Sequence, residues 1–240
     1  MLVTAMNMHT QAILESENSR GSTLDRTIIY GTTSGGTTID ADEYGGNPFA
    51  TALIQISREH DQTLVTLLPE LRALTRTGSG GQQTPSWVLQ PHDGTWSFPM
   101  AEGSRAERRV ALVLVVSDYT SPGVTQLAGA AHDERRVAAM LASHGFTVVQ
   151  GIHADRQSLL KALRSFARNS RNADVALVYC TGHGVEQARQ VHLLPANYPF
   201  DSGFRSTTLN RSGIPVQRIA TACRATNVNL TFFAGCRTTV

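Results

Sequence analysis

Residues 109–149 read RVALVLVVSDYTSPGVTQLAGAAHDERRVAAMLASHGFTVV. The run 110–116 is apolar without a break, as expected of a strand buried on both faces. Beyond a polar turn, Leu127, Ala130, Ala131, Val137, Ala138 and Leu141 share one face of a helical period, and Gly145 supplies a helix stop. Residues 146–149 are apolar again. Strand, helix and strand in this order predict a parallel pair joined by a crossover. The alternation continues: Asp155 is an N-cap for a helix carrying Leu159, Leu160, Leu163 and Phe166. Residues 175–179 form a third strand, 214–225 a helix and 230–233 a fourth strand. The fold class this predicts is α/β, with a mostly parallel central sheet and helices on both faces.

Upstream the pattern is less regular. Residues 1–25 are polar and read as an N-terminal arm. Ile28, Ile29 and Tyr30 make a short strand, followed by the loop GTTSGGTTIDADEYGG at 31–46. Asn47-Pro48-Phe49 is a helix start, with Asn as N-cap and Pro in the first turn. Phe49, Leu53 and Ile56 line one face of that helix; Leu64, Leu67, Leu68 and Leu71 line a second. The turn-rich stretch 78–85 ends it, and 87–89 and 96–98 read as short strands. Residues 99–108, PMAEGSRAER, read as a linker. The expected division is therefore arm 1–25, a smaller block 26–98, linker 99–108 and a larger block 109–240.

Composition narrows the function. The chain has 240 residues, 41% hydrophobic and 17% charged, enough apolar content for a core and too much for a disordered chain. A formal net charge of +2 gives no clustered basic excess, so nucleic acid is not an expected partner. The longest apolar run, 110–116, is far short of the roughly 20 residues of a spanning helix, so no membrane partner is expected either. The first 20 residues lack a signal-peptide layout. Three cysteines make neither a disulfide framework nor a CxxC zinc pair. The expected location is the reducing cytoplasm.

Ligands of open α/β sheets bind at the carboxyl ends of the strands. Two ends carry chemistry here. Strand 175–179 runs into Cys180-Thr181-Gly182-His183-Gly184, and strand 230–233 into Ala234-Gly235-Cys236-Arg237. A His between glycines and a Cys beside an Arg on one rim satisfy the needs of a Cys–His nucleophilic site. The imidazole takes the thiol proton or stabilises the thiolate. Glycines admit a substrate backbone, and amides near Gly184 and Cys236 can hold an oxyanion. Cys180, closing a buried strand, reads as structural. Cys223 falls on an apolar face with Ile214, Ile219 and Ala220, and also reads as core.

These motifs resemble those of caspases and metacaspases. RVALVLVVSDY, LAGAAHDERRVAAMLASHGFTVV, DVALVYCTGHGVE, VHLLPAN and LTFFAGCR resemble the large catalytic part, with His183 and Cys236 at the dyad positions. Their separation is 53 residues, against about 50 for caspase-type sites. The small part that follows the Cys in this family is similar to residues 26–98 instead. RTIIYGTTSGGTTIDAD resembles a PG-x-x-A-x-D segment, NPFATALIQI its helix start and TGSGGQQTPSW a T-x-G-x-Q-x-P-W turn. The resemblance implies a caspase-like three-layer sandwich, circularly permuted with the small part first. It implies activation without a cut between the two parts.

The implied activity is a cysteine endopeptidase acting on protein or peptide substrates, with no cofactor in the chemistry. Calcium dependence occurs in relatives, but no residue here specifies a calcium site. A regulatory or effector protein is a further partner of this class. Where relatives carry an acid or Gln two positions before the Cys, this chain has Ala234. The remaining acidic S1 position matches Asp40, with Asp42 a competing alignment; Asp133 reads as a helix-capping residue. One carboxylate predicts a basic P1 residue with reduced selectivity. The alternative is an inactive caspase-like interaction module; such proteins usually lack the His or the Cys, and both are present.

Overall fold

The computed structural model describes residues 26–59, 63–88, 96–98, 107–152 and 155–240. The arm 1–25, most of the linker and Leu89 lie outside the described residues. The α/β expectation is borne out. A six-stranded sheet has the order β2-β1-β9-β5-β3-β4. Its members are β1 (Thr27–Tyr30), β2 (Ser86–Val88), β3 (Arg109–Val115), β4 (Phe146–Ile152), β5 (Val175–Thr181) and β9 (Val228–Phe233). Every pairing is parallel except that of the edge strand β2 with β1. β1 lies beside β9, with Thr27 opposite Leu230 and Tyr30 opposite Phe233.

Helices cover both faces because the strands alternate. Ala111, Val113 and Val115 of β3 point into one apolar layer with α1 (Pro48–Ile56), α2 (Leu64–Gly78) and α3 (Ala128–Ser143). Leu112 and Leu114 point into the other, with α4 (Arg156–Asn169) and α6 (Val216–Ala220). Such two-sided burial is why β3 reads as a continuous apolar run. α1 starts as its sequence requires: the Asn47 side chain accepts from the Phe49 amide at 2.8 Å, with Pro48 following. Asp155 caps α4 through the amides of Gln157 and Ser158.

A second sheet, β10-β6-β7-β8, stands beside the carboxyl ends of β5 and β9. It comprises β6 (Gly184–Gln187), β7 (Gln190–Leu193), β8 (Ile214–Pro215) and β10 (Thr238–Thr239). The short helix α5 (Ser206–Ser212) lies between β7 and β8 in the chain. The β6–β7 hairpin turns on Ala188 and Arg189, at φ 48° and 66°. Positive φ at both central residues is the type I′ signature, which Asn-Gly supplies without strain.

Two expectations are corrected. Residues 96–98 form no strand. Trp96 and Phe98 are buried aromatics packed edge to face at 4.9 Å, and the Trp96 carbonyl accepts from the first amide of α2. Residues 214–225 are not one helix. Ile214 and Pro215 pair with β7 as extended chain, and the helix ends at Ala220 in tight turns. The Asn229 side chain takes both polar groups of Ala225 and so diverts the chain into β9. Among the described residues, no helix is long and apolar enough to cross a membrane.

Replacing Ala188-Arg189 with Asn-Gly should relieve the left-handed cost of two ordinary residues. The expected gain is about 1–2 kcal/mol in urea denaturation, with the circular dichroism spectrum unchanged.

Candidate active site

β5 and β9 are neighbours in register, with Cys180 opposite Phe233, so their carboxyl ends finish side by side. The Ala234 amide bonds to the Cys180 carbonyl at 2.9 Å and starts both loops from one point. From there the loops run backbone against backbone. A Cβ on Gly235 would lie 2.5 Å from the Gly182 carbonyl oxygen, and a Cβ on Gly184 would lie 2.5 Å from that of Cys236. No side chain fits at either position. This close approach brings the His183 and Cys236 segments together on the rim.

His183 is held on three sides. Its Nε2 lies 2.8 Å from the Thr125 carbonyl. A carbonyl only accepts, so Nε2 carries the proton and Nδ1 is the free basic nitrogen of the neutral ring. The ring packs on Tyr119 at 4.5 Å between centroids. The Tyr119 hydroxyl accepts from the His183 amide at 2.6 Å and donates to the Leu194 carbonyl at 3.3 Å. Burial pushes the Tyr119 phenol well above its ordinary value, so it stays protonated and keeps both bonds. The bond from the Leu194 amide to the His183 carbonyl makes Gly184 and Leu193 a non-hydrogen-bonded pair. The Gly184 amide therefore turns away from β7.

Cys236 is half-buried and its thiol is free. The sulfur lies 3.3 Å from the Thr38 amide nitrogen and 3.4 Å from the Thr38 hydroxyl. The Cys236 amide donates to no described residue. Arg237, the next residue, is fixed. Its guanidinium reaches Glu186 at 3.0 Å and Ser86 at 2.9 Å, and lies 4.3 Å over the Tyr30 ring. Cys180 and Cys223 are wholly buried. Burial pushes the Cys180 thiol far up, and the Cys223 thiol donates to the Leu230 carbonyl. Both sit in the core as small apolar groups.

The three aspartates Asp40, Asp42 and Asp133 have separate partners. Asp40 accepts from the amides of Gly129 and Ala130, at 2.9 and 3.1 Å, and caps the N-terminus of α3. Asp42 closes its own loop through the Tyr44 and Gly46 amides and takes the Thr51 hydroxyl at 2.6 Å. Asp133 is wholly buried. It does not cap its own helix, whose first amides go to Asp40; it accepts from the Asn47 amide at 2.8 Å and pairs with Arg136 at 3.0 Å. Ala234, 1% exposed, leaves no charge at its position. Among the described residues, no three His, Cys, Asp or Glu side chains converge as a metal site.

Sequence reasoning missed Thr125, Tyr119 and Thr38. Thr125 acts through a backbone carbonyl, which no side-chain motif announces. Tyr119 follows a strand already counted, and Thr38 lies in a Thr- and Gly-rich loop.

A family model of the caspase domain matches residues 108–231, more than half of the chain. The chain belongs to the caspase-domain family of cysteine peptidases, whose substrates are proteins or peptides. The matched span includes His183 and stops short of Cys236. No curated protein matches the chain.

Burial pushes the Asp133 carboxyl up to about 7, against the Asn47 amide and Arg136, which pull it down. An unfolded Asp titrates near 3.9, so between about pH 4 and 7 the folded chain binds the extra proton. The stability this supplies is full below about pH 4 and is lost as pH rises through about 7. Urea denaturation from pH 4 to 8 should show that decline, and Asp133→Asn should flatten it.

Proposed function

We propose that the chain is a cysteine endopeptidase whose nucleophile is Cys236 and whose acid–base group is His183. The observation that carries this reading is the backbone-to-backbone packing of Gly182 and Gly184 against Gly235 and Cys236, which gives both side chains one rim. In the proposed reaction His183 Nδ1 takes the thiol proton, and the sulfur attacks the scissile carbonyl. The carbonyl π electrons move to oxygen, where the amides of Cys236 and Gly184 stabilise the charge. Collapse of the tetrahedral adduct breaks the C–N bond, and His183 returns the proton to the leaving amine. Water then hydrolyses the thioester. The Thr125 carbonyl stabilises the imidazolium formed on the way, since it accepts from Nε2 in either protonation state.

The preferred P1 residue in this reading is Arg or Lys, received by Asp40. Its carboxylate is fixed by two helix amides and retains acceptor capacity, because an ionised carboxylate takes about four hydrogen bonds. The α3 dipole offsets part of its charge, and Ala234 adds none. Selectivity for a basic side chain should therefore be modest. Asp42 is less suited, because its oxygens close the loop and bind Thr51. We also infer that residues 26–98 supply the small part of the domain, in permuted order; the parallel pairing of β1 with β9 supports this.

A fluorogenic peptide library tests the reading. Cys236→Ala and His183→Ala should each abolish cleavage, whereas Cys223→Ala should leave it near wild type. Asp40→Asn should lower kcat/KM on Arg substrates about 10- to 100-fold, the equivalent of roughly 1.4–2.8 kcal/mol, with Cys236 still open to alkylation. Cleavage persisting in Cys236→Ala, or a profile dominated by Asp at P1, would overturn it.

A further inference from the structure

Among the described residues the Cys236 sulfur has three polar contacts, and all belong to Thr38. The amide nitrogen is at 3.3 Å, the hydroxyl oxygen at 3.4 Å and the carbonyl oxygen at 4.0 Å. These contacts are unequal in what they favour. The amide can only donate, and the hydroxyl rotates to donate, so both favour an ionised sulfur. The carbonyl, which could accept from a neutral thiol, is the most distant.

The placement of Thr38 is imposed from both sides. On one side the Gly35 amide bonds to the Arg237 carbonyl and the Arg237 amide to the Gly36 carbonyl, each at 2.9 Å. On the other, the Ile39 amide bonds to Gln83 at 3.2 Å, the Asn47 side chain to the Ile39 carbonyl at 2.7 Å, and Asp40 caps α3. Donors anchored in this way need no reorganisation when charge appears, the condition under which they stabilise it most.

We propose that Thr38 is a positioning residue for the nucleophile, its amide and hydroxyl jointly holding the Cys236 sulfur in place and favouring the thiolate. The proposal rests on Cys236 being the nucleophile. It divides the task of ionising the thiol: His183 takes the proton, and Thr38 stabilises what is left. Loss of the hydroxyl should therefore change the pH at which the enzyme works more than its affinity for substrate.

The test is the pH dependence of iodoacetamide alkylation at Cys236 in the full chain, with Cys236→Ser as the blank for the two buried thiols. Thr38→Val removes the hydroxyl at nearly constant shape. It should raise the midpoint by about 0.5–1 pH unit, a three- to tenfold loss of thiolate below the midpoint. Thr38→Ser should restore the wild-type profile. Peptide cleavage should follow, with kcat lower at neutral pH, KM little changed and activity recovered at higher pH. Thr38→Ala, smaller than the native residue, serves if the Val variant does not fold. A Thr38→Val or Thr38→Ala profile that superimposes on wild type, while His183→Ala moves it, would overturn the proposal and leave the dyad standing. An ordinary thiol midpoint near 8.5 in the wild type, unmoved by His183→Ala, would overturn the dyad and this proposal with it.

Discussion

Arg237 is where three separate pieces of chain are made to agree. Its guanidinium forks onto Glu186 of β6, reaches the Thr32 carbonyl and the Ser86 hydroxyl, and lies over Tyr30. Its backbone pairs with Gly35 and Gly36. Burying such a charge is favourable only when its donors are met, and here the partners come from both blocks of the sequence. Lys is not equivalent, since it lacks the planar fork that meets Glu186 through two nitrogens and the flat face that lies over Tyr30. The position of Cys236, one residue earlier, is a by-product of this satisfied cation. The loop that carries Thr38 and Asp40 is tied to the same residue.

The three aspartates around this rim show how one side-chain type takes different tasks from different surroundings. Asp40 sits on helix amides and stays at the surface of the site. Asp42 is spent on its own turn. Asp133 is sealed with Arg136 beneath Gly46, where any Cβ would collide with both. A guanidinium of the chain's own thus lies within the acidic cluster and lowers its net negative charge. Of the three, Asp40 alone is fixed by helix amides while its carboxylate stays only partly buried.

The large block was legible because two-sided burial writes a plain signal. Residues 110–116 and 175–179 are unbroken apolar runs, and α3 and α4 show one apolar face each. The placing of His183 and Cys236 at neighbouring strand ends was legible because each follows a buried strand and is flanked by glycine. The β6–β7 hairpin was not, since its turn uses Ala188 and Arg189 rather than the Gly or Asn that normally marks left-handed backbone. Residues 96–98 misled because aromatic content serves packing as well as pairing. The 214–225 segment misled because Pro215 is as compatible with an extended entry as with a helix start. The supports of the site were hidden for a further reason: carbonyls such as that of Thr125 are common to every residue.

The pairing of β1 with β9 joins residues about 200 positions apart along the chain. Contacts of such sequence separation form late, because the loop they close must be ordered first. On the ribosome, where synthesis runs at roughly 5–20 residues per second, β1 waits some ten seconds or more for its neighbour to be made. Throughout that interval Asp40 and Thr38 have no rim to join, and Cys236 does not yet exist. The order of the sequence keeps the loops after β5 and β9 from meeting the 31–46 loop until β9 has joined the sheet.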